Sequence, residues 1–561
     1  MTSTPFEIRC VNSLWKVFAD EELAAPAYER GTTLKNEVYA FQVAYRAPWL
    51  HRGIRVEVDS QLADRIEVRF VGLAPSDFPA RDNHDDDFLR ETPGLYPDPL
   101  LPIDPAEGIH APPNQWRAVW VTIDPCDAPL PKGEHPIRIR FVSEEGEALG
   151  QAEFALDVIP ALLPQQRLLH YEWLHFDCLG TYYRVPVFSE RHWELLENYV
   201  RKAVRYGINT FLTPIVTPPL DTKIGGERPT VQLVDIEKTG DRYAFGFDKL
   251  KRWVDLCNRC GVSHFEFSHL FTQWGAKHAP KIVATEDGEE RRIFGWETDA
   301  TGPAYRGFLD QLLPELNRFI QDHGLAERSI FHVSDEPEPQ DFEAYSQAKA
   351  IIAKHLKGYP IMDALSDYKF YESGLVERPI PASDHIGPFL ENGVPGLWTY
   401  YCNAQQDQVA NRMFSMPSSR GRVIGLQLYK FGLEGFAHWG YNFWYTRYAT
   451  MAIDPYRVTD AGMGFPSGDS HLVYPGDDGQ PVSSIRFEVL REALQDLRAL
   501  QLYESFAGKE AAVALLEQGL TRPITFADYP RGDAWLLAFR ERLNDAIRER
   551  ATKREVVNEE E

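Results

Sequence analysis

The strongest constraint on the fold is an alternation of short apolar segments with segments of helical pattern that begins near residue 165. The apolar segments lie at residues 168–176, 208–214, 264–270, 329–333, 360–364, 383–386, 396–401 and 435–441. Helical patterns separate the first five of them at 190–206, 247–260, 303–322 and 341–356. Eight strands that alternate with helices are typical of a (β/α)8 TIM-like barrel, so we expect an α/β fold of this kind. Almost no room remains for a helix before residue 396, so we expect the sixth unit to be irregular.

The residues before this alternation have a different pattern. Short segments with strand-like alternation lie at 36–45, 52–58, 66–71, 117–123, 137–141 and 152–159, and no long helix separates them. This pattern predicts an N-terminal β-sandwich accessory domain over residues 1–162. A proline-rich excursion at 74–114 interrupts the strands, and the sequence leaves open whether it reaches an active site.

The predicted domain order follows from these two patterns. We expect a catalytic barrel over residues 163–505, and the helical pattern at 484–502 has an apolar face that covers it. Residues 506–561 are predicted to form a helical C-terminal extension that packs on the barrel.

The charge and composition exclude several kinds of partner. A formal net charge of -24 argues against binding of nucleic acid or of an anionic membrane through the general surface field. No apolar run of about 18 residues is present, so we expect no transmembrane helix. The first residues lack a basic region followed by an apolar one, which favours a cytoplasmic protein with reduced cysteines. The oligomeric state stays open.

Motifs for cofactors and metals are missing from the sequence. There is no phosphate-binding P-loop, no GxGxxG after a strand and no GxSxG nucleophile turn. A single CxxC at 257–260 has no partner ligands at similar spacing. We therefore expect no cofactor and no metal.

Two adjacent carboxylates, Asp335 and Glu336, end the fourth apolar segment, and Pro337 stops the strand there. Barrel enzymes keep their chemistry at the carboxyl ends of the strands. The alternative is a solvated turn in which a carboxylate caps the next helix. Other polar and aromatic residues also stand at strand ends: Trp173, His175, Asp177, Gln273, Trp274, Asp363, Asp367, Trp398, Tyr400, Tyr401, Trp439, Tyr441 and Asn442. Carboxylates that converge with aromatic residues favour a glycosidase cleft over a nucleotide or metal site.

The adjacency of the pair limits the mechanism. Most glycosidases place two carboxylates about 5 to 10 Å apart across the scissile bond. Neighbours on one strand point to opposite faces and do not easily flank a bond in this way. A different division fits better, in which one carboxyl protonates the leaving oxygen and the other holds a 2-acetamido group that attacks the anomeric carbon.

Residues 165–500 resemble the family long called domain of unknown function 4091, which is related to glycoside hydrolase family 123. The segments that carry the resemblance are 295–301 (GWETDAT), 331–337 (FHVSDEP), 362–367 (MDALSD), 397–401 (LWTYY), 435–442 (GFAHWGYN) and 465–469 (FPSGD). The N-terminal domain resembles the accessory domain of the same family more weakly.

The resemblance implies a β-N-acetylgalactosaminidase with substrate-assisted catalysis, in which Glu336 is the general acid/base and Asp335 orients the acetamido nitrogen. It also implies that a tyrosine after the seventh strand, Tyr400 or Tyr401, binds the acetamido oxygen. The same resemblance implies that Trp398, Trp439 and Asn442 line the sugar pocket. Trp173 and Asp363, at the ends of the first and fifth strands, complete the predicted substrate-binding set.

Two other functions remain open at this point. One is a glycosidase for a sugar without an acetamido group, and the other is a carbohydrate-binding protein without catalysis. In each case the partner is an oligosaccharide or glycoside. The sequence leaves the sugar, its linkage, the aglycone and exo or endo action open.

Overall fold

The computed structural model describes residues 6–560, with side chains through residue 552. The N-terminal strands are β1 (Glu7–Asn12), β2 (Arg30–Leu34), β3 (Tyr39–Arg46), β4 (His51–Asp59), β5 (Ile66–Ser76), β6 (Gly94–Pro102), β7 (Ile109–Ala111), β8 (Arg117–Ile123), β9 (Gly133–Val142) and β10 (Ala148–Ile159). They form two five-stranded sheets with the orders β1-β3-β8-β5-β6 and β2-β10-β9-β4-β7. The sheets share a hydrophobic cluster that includes Phe41 and Val119 from one and Ile137 and Phe154 from the other.

The prediction of one long excursion at 74–114 is wrong in its second half. Strand β6 pairs with β5 there, and the short β7 pairs with β4. Strand β6 carries Pro97, Pro99 and Pro102 but lies at the edge of its sheet, where a missing N–H breaks no ladder. The prolines therefore concealed a strand from the sequence pattern.

The second half of the chain mixes strands and helices. Its strands are β11 (Leu169–Glu172), β12 (Thr210–Thr213), β13 (Asp235–Thr239), β14 (Arg242–Gly246), β15 (His264–Phe267), β16 (Ile282–Glu286), β17 (Glu289–Phe294), β18 (Ser329–Ile330), β19 (Met362–Ala364), β20 (Arg378–Ile380), β21 (Trp398–Tyr400), β22 (Gly435–His438), β23 (Tyr474–Pro475) and β24 (Pro481–Val482). Its helices are α1 (Phe176–Tyr183), α2 (Glu190–Arg205), α3 (Asp248–Cys260), α4 (Pro303–Asp322), α5 (Phe342–Ala353), α6 (Lys369–Glu372), α7 (Gly387–Glu391), α8 (Ser418–Arg422), α9 (Ile424–Phe431), α10 (Ile485–Ala507), α11 (Lys509–Leu516) and α12 (Asp533–Glu560). No helix of the described residues is both long and apolar enough to cross a membrane.

A curled parallel sheet positions the site. Six strands pair in the order β18-β15-β12-β11-β22-β21, and β19 pairs with β20. Single parallel bridges, Phe331 with Ile361 and Ala382 with Tyr400, link the edges of these two sheets. One hydrophobic cluster contains residues from seven of these eight strands. The fold is thus mixed α/β with strongly curled sheets whose carboxyl ends face the same side.

The sixth strand lies earlier than the sequence predicted. Strand β20 occupies 378–380 instead of 383–386, and α7 follows at 387–391. Arg378 is exposed and Pro379 lacks an N–H, so the segment has no strand-like pattern. The first strand also ends early, at Glu172, because α1 begins at Phe176. The four-stranded sheet β14-β13-β16-β17 was not predicted.

The C-terminal helix α12 joins the two halves of the chain. Arg540 lies 2.6 Å from Glu37 in the N-terminal half and 2.7 Å from Asp496 on α10. Arg422 on α8 lies 2.7 Å from the same Asp496. These ion pairs are buried, so α12 contacts both the N-terminal sheet and α10.

Candidate active site

The backbone turns sharply at the carboxylate pair that follows β18. Glu336 has a φ of 44°, in the left-handed region that non-glycine residues rarely adopt. Its N–H donates to the carbonyl of Ala364 at 3.1 Å, and the carbonyl of Asp335 accepts from the N–H of Trp274 at 3.1 Å. Strain of this kind costs about 1–3 kcal/mol and occurs mostly at functional sites.

The alternative role of the pair as a helix cap is filled by other residues. A 3-10 turn at Pro339–Asp341 begins with a capping box formed by Glu338 and Asp341. Neither Asp335 nor Glu336 takes part in it. The pair instead faces a cavity of about 190 Å³.

The cavity lies at the carboxyl ends of the parallel strands. Its lining contains three carboxylates, an amide pair and several aromatic rings, contributed by the loops after six strands. The lining residues are Tyr171, Trp173, Leu220, Asp221, Gln273, Trp274, Asp335, Glu336, Ala364, Tyr400, Cys402, Asn403, Ala437, His438, Trp439, Arg447, Tyr448 and Phe465. Aromatic walls with a few convergent polar groups are typical of a small-ligand site.

Glu336 has a direct side-chain partner in the cavity. The hydroxyl of Tyr400 donates to its Oε1 at 2.6 Å. Burial raises the pKa of Glu336 above its usual range, and this hydrogen bond opposes the rise. A carboxyl with a raised pKa is suited to general acid catalysis near neutral pH.

Asp335 is affected by burial and by charge. Burial and the Glu336 carboxylate raise its pKa well above the usual range, and the charge of His332 opposes them. Two neighbouring carboxyls of this kind titrate as a pair, so protonation of one favours ionisation of the other.

His332 lies between two buried carboxylates beneath the pair. Its Nε2 is 2.8 Å from Oε1 of Glu266, and its Nδ1 is 3.2 Å from Oδ1 of Asp363. Burial alone would lower the pKa of His332, but these carboxylates raise it to about 10. His332 is therefore a buried cation, and Asp363 also accepts from the N–H of Val333 and the hydroxyl of Tyr345.

A possible metal-ligand set overlaps with this cluster. One ligand atom each from His269, His332 and Asp363 lies within 4.8 Å of the others. Both nitrogens of His332 face carboxylates and carry protons, so neither has a free lone pair for a metal. Burial lowers the pKa of His269 well below its usual value, and its ring stacks on His332. His332 and Asp363 thus serve the ion pair, and His269 contributes a ring that stacks on His332.

The structure brings only some of the predicted site residues into the cavity. Tyr400, Trp173 and Trp439 line it together with the carboxylate pair. The indole nitrogen of Trp173 donates to Oε1 of Glu266 at 2.9 Å, which fixes its ring.

Four predicted residues lie outside the cavity lining. Asp363 faces His332, and Trp398 packs in the strand interior near the amino ends, where it lines a different surface depression. Tyr401 packs its ring against His438 behind the wall. Asn442 hydrogen-bonds the backbone of His175, at 2.8 and 3.1 Å. All four are buried, so a position at a strand end did not place them in the lining of this cavity.

Trp439 is held from behind by a buried charge network. Its indole nitrogen donates to Asp469 at 3.0 Å, and Asp469 lies 3.5 Å from Nε2 of His438. Arg412 donates to both oxygens of Glu172, at 2.6 and 2.9 Å, and to Nδ1 of His438 at 2.7 Å. Burial opposes ionisation of Glu172, but Arg412 and His438 lower its pKa to about 2.

Most of the other cavity residues were not predicted as site residues, among them the polar side chains of Asp221, Asn403, Arg447 and Tyr448. All four belong to loops without a recognisable pattern, and the signals in the sequence were the positions of Asp221 after the second strand and of Asn403 after the seventh. Burial raises the pKa of Asp221 to about 6. The cavity thus contains a third carboxyl in addition to the pair.

A segment of the N-terminal half reaches the cavity wall. Arg81 donates to Oδ1 of Asn403 at 2.5 Å, and the carbonyl of Phe78 accepts from the N–H of Ser467 at 3.0 Å. Asp85 pairs with the buried Arg420 at 2.6 Å. Residues 78–85 therefore support the loop that carries Asn403.

Comparisons with known proteins agree with this geometry. The family model described as the catalytic domain of glycoside hydrolase 123 matches residues 173–503. The chain is similar in structure to a family 123 glycoside hydrolase from Clostridium perfringens, solved in a study of glycolipid glycan hydrolysis. The TM-score is 0.75 at 14% identity, and the match covers 99% of this chain and 100% of that one. At that identity, the likeness shows the fold alone.

More distant structural matches add nothing to the argument. An FMN-binding β-glucuronidase from Facaelibacterium prausnitzii L2-6 has a TM-score of 0.33 at 8% identity, over 83% of this chain and 61% of that one. A β-galactosidase of Bacteroides fragilis has a TM-score of 0.32 at 8% identity, over 85% and 60%. No curated protein matches the sequence.

Proposed function

Since the chain belongs to the glycoside hydrolase 123 family, we propose that it is a retaining β-N-acetylhexosaminidase that prefers terminal N-acetylgalactosamine. The observation that carries the proposal is the left-handed backbone at Glu336, with a φ of 44°. On a regular strand, the side chains of Asp335 and Glu336 would point to opposite faces. The turn lets both carboxyls line one cavity, where they are suited to act on adjacent atoms of one sugar.

The proposed reaction begins with attack by the substrate itself. Glu336, in its protonated form, gives its proton to the leaving oxygen, while the acetamido carbonyl oxygen attacks the anomeric carbon. The carboxylate of Asp335 accepts a hydrogen bond from the acetamido N–H and stabilises the positive oxazolinium. Glu336 then takes a proton from water, which opens the oxazolinium ring at the anomeric carbon, and two inversions retain the configuration.

Tyr400 is assigned the acetamido oxygen in this proposal. Its hydroxyl is in the cavity and already lies 2.6 Å from Glu336. Tyr401, the other candidate, packs behind the wall against Phe436 and His438. Trp173 and Trp439 are assigned the sugar faces, because their rings line the cavity and are fixed by hydrogen bonds.

The proposal extends to the architecture. The two single bridges at the sheet edges support closure of the eight parallel strands into a (β/α)8-type barrel over residues 163–505. The shared hydrophobic cluster of the two N-terminal sheets supports a β-sandwich over residues 1–162. Residues 506–561 form the C-terminal extension in this division. A cytoplasmic location and the older label of domain of unknown function 4091 stay predictions.

A panel of aryl glycosides tests the function. We expect hydrolysis of the β-N-acetylgalactosaminide above the β-N-acetylglucosaminide, and none of the plain β-galactoside or β-glucoside. Glu336→Gln and Asp335→Asn each nearly abolish this hydrolysis, and both keep the thermal unfolding temperature of the parent. The exposed Glu343→Gln on α5 is the matched control and keeps activity.

Other outcomes of the panel point to the other functions. Turnover of only the plain glycosides removes the substrate-assisted mechanism and favours a glycosidase for another sugar. Calorimetric binding of an oligosaccharide without any product after long incubation favours a non-catalytic carbohydrate-binding protein. Full activity of Glu336→Gln contradicts the assignment of the general acid.

A further inference from the structure

The mouth of the cavity is built by three loops that are tied together at Asp221. The N–H of Tyr448, from the loop after β22, donates to Oδ2 of Asp221 at 2.8 Å. The N–H of Asp221 donates to Oε1 of Gln273, from the loop after β15, at 2.7 Å. The carbonyl of Tyr448 accepts from the N–H of Lys223 at 2.9 Å. We call Asp221, Trp274, Arg447 and Tyr448 the mouth. Hydrogen bonds between its loops hold it in place.

The backbone of the mouth is strained at several positions. Asp221, Trp274, Tyr448 and Ala449 have φ values of 38°, 60°, 63° and 50°. Such conformations cost about 1–3 kcal/mol for non-glycine residues and persist where the surroundings impose them, most often at ligand sites. This strain is separate from that at Glu336, which belongs to the reaction centre.

The mouth presents aromatic surface to solvent. The side chain of Trp274 is 38% exposed, which is unusual for a tryptophan. Its ring meets the ring of Tyr448 edge to face, with centroids 5.8 Å apart. In contrast, Trp173 and Tyr171 at the floor are buried. The exposed ring of Trp274 and the half-buried ring of Tyr448 therefore form a more accessible part of the cavity lining than these two buried rings.

An arginine without an ion pair completes the mouth. The guanidinium of Arg447 lies 4.7 Å from the ring centroid of Tyr448 and 5.9 Å from that of Phe465. Among residues 6–552, Arg447 takes part in no ion pair, although the chain has 83 acidic residues. The carboxylate of Asp221 accepts a hydrogen bond from the N–H of Tyr448 and makes no ion pair with Arg447. The two side chains interact only through their electrostatic fields.

We propose that the mouth is a binding subsite for the sugar next to the cleaved bond, and that Arg447 selects a sugar with an anionic group, a carboxylate or a sulfate ester. This inference rests on the proposed function. A guanidinium offers paired N–H donors to planar oxyanions, and stacking on aromatic rings fixes its plane. The general field of a chain with a net charge of -24 repels anions, so recognition of an anionic sugar needs a local cation of this kind.

The test compares two disaccharides that differ in one group. N-acetylgalactosamine is β-linked to galactose in one and to glucuronic acid in the other, and a sulfated galactose forms a third arm that separates sulfate from carboxylate. We expect the wild-type protein to have a higher kcat/KM for at least one anionic disaccharide than for the neutral one. Arg447→Gln should lower the ratio of kcat/KM for the anionic disaccharide to kcat/KM for the neutral one by about 10- to 100-fold, the effect of one charged hydrogen bond.

A matched control lies on the same loop. Arg457 is exposed, does not line the cavity and has its own partner, Asp454, at 3.4 Å. Arg457→Gln removes the same charge from the protein, but at a site outside the cavity. It should therefore leave this kcat/KM ratio unchanged. An equal fall in both variants would mean that general charge, and not the mouth, sets the preference.

The outcomes separate this inference from the proposed function. Absence of any hydrolysis contradicts the proposed function, and calorimetry with the Glu336→Gln variant then tests the mouth by itself. Tighter binding of an anionic disaccharide that is lost on adding Arg447→Gln supports the inference. Equal kcat/KM and equal affinity for all three disaccharides overturn it, even where the aryl glycoside is cleaved.

Discussion

Removal of one hydroxyl, in Tyr400→Phe, is expected to change the pH dependence of the reaction. The hydroxyl donates to Oε1 of Glu336 at 2.6 Å and favours the ionised carboxylate. Without it, burial acts unopposed and the pKa of Glu336 rises further. A hydrogen bond to a charged group contributes about 1.5–3 kcal/mol, which corresponds to a rise of about 1–2 pH units.

The assay is kcat/KM for an aryl β-N-acetylgalactosaminide as a function of pH. The general acid must be protonated, so activity falls on the alkaline side as the carboxyl pair loses its last proton. A higher pKa keeps Glu336 protonated to higher pH, and the alkaline limb of Tyr400→Phe should therefore move up by about 1–2 pH units. The maximum should also fall, because the proposed contact to the acetamido oxygen is lost.

Tyr401→Phe is the matched control. In the described part of the chain, its hydroxyl makes no hydrogen bond to either carboxyl of the pair, and its ring packs against His438. Its alkaline limb should coincide with that of the parent. An unmoved limb in Tyr400→Phe, or an equal shift in Tyr401→Phe, refutes the reasoning.

Three further changes test other parts of the structure. His332→Gln leaves two buried carboxylates without their cation and should lower the free energy of unfolding by about 3–5 kcal/mol. The pKa of His332 is raised from 6.5 to about 10, so this loss of unfolding free energy should be full below pH 6.5 and should fade as the pH rises towards 10. Denaturant unfolding of both proteins at several pH values checks this. Gly425→Ala places a Cβ 1.9 Å from a carbonyl oxygen of α10, so it should lower the free energy of unfolding by about 1–3 kcal/mol, which thermal unfolding measures. The control Gly307→Ala, on α4, places its Cβ in open space and should not destabilise the protein. Arg81→Ala frees Asn403 and should raise KM for the aryl glycoside about fivefold, with kcat nearly unchanged.

The sequence predicted the strand and helix order where local patterns are strong. Helix α4 was predicted with its observed bounds, since Pro303 begins it and Gly324 follows its end. Strand β20 was misplaced because one exposed charge and one proline obscure its apolar residues. The pattern of a segment thus reports local periodicity, and β20 exists through its pairing with β19.

The candidate site was predicted less completely, for a geometric reason. A position at a strand end fixes where a residue lies along the strand, but it does not fix the direction of its side chain. Within β19, Ala364 lines the cavity, whereas Asp363 turns to His332. A difference of one position decides between ligand contact and support, because side chains alternate along a strand. The loop residues Asn403 and Arg447 follow no periodicity, so only the folded chain brings them to the cavity.

The proton shared by Asp335 and Glu336 connects the choice of substrate with catalysis. Burial and Glu336 raise the pKa of Asp335 well above its usual range, and the pKa of Glu336 is raised as well. The proposed reaction needs an ionised Asp335 and a protonated Glu336. The N–H of a bound acetamido group donates more strongly to an ionised Asp335 than to a protonated one, so its binding favours placing the shared proton on Glu336. A sugar with a hydroxyl at that position can also donate to Asp335, but it lacks the carbonyl nucleophile. It should therefore bind without being cleaved, which makes the acetamido group a requirement for turnover more than for affinity.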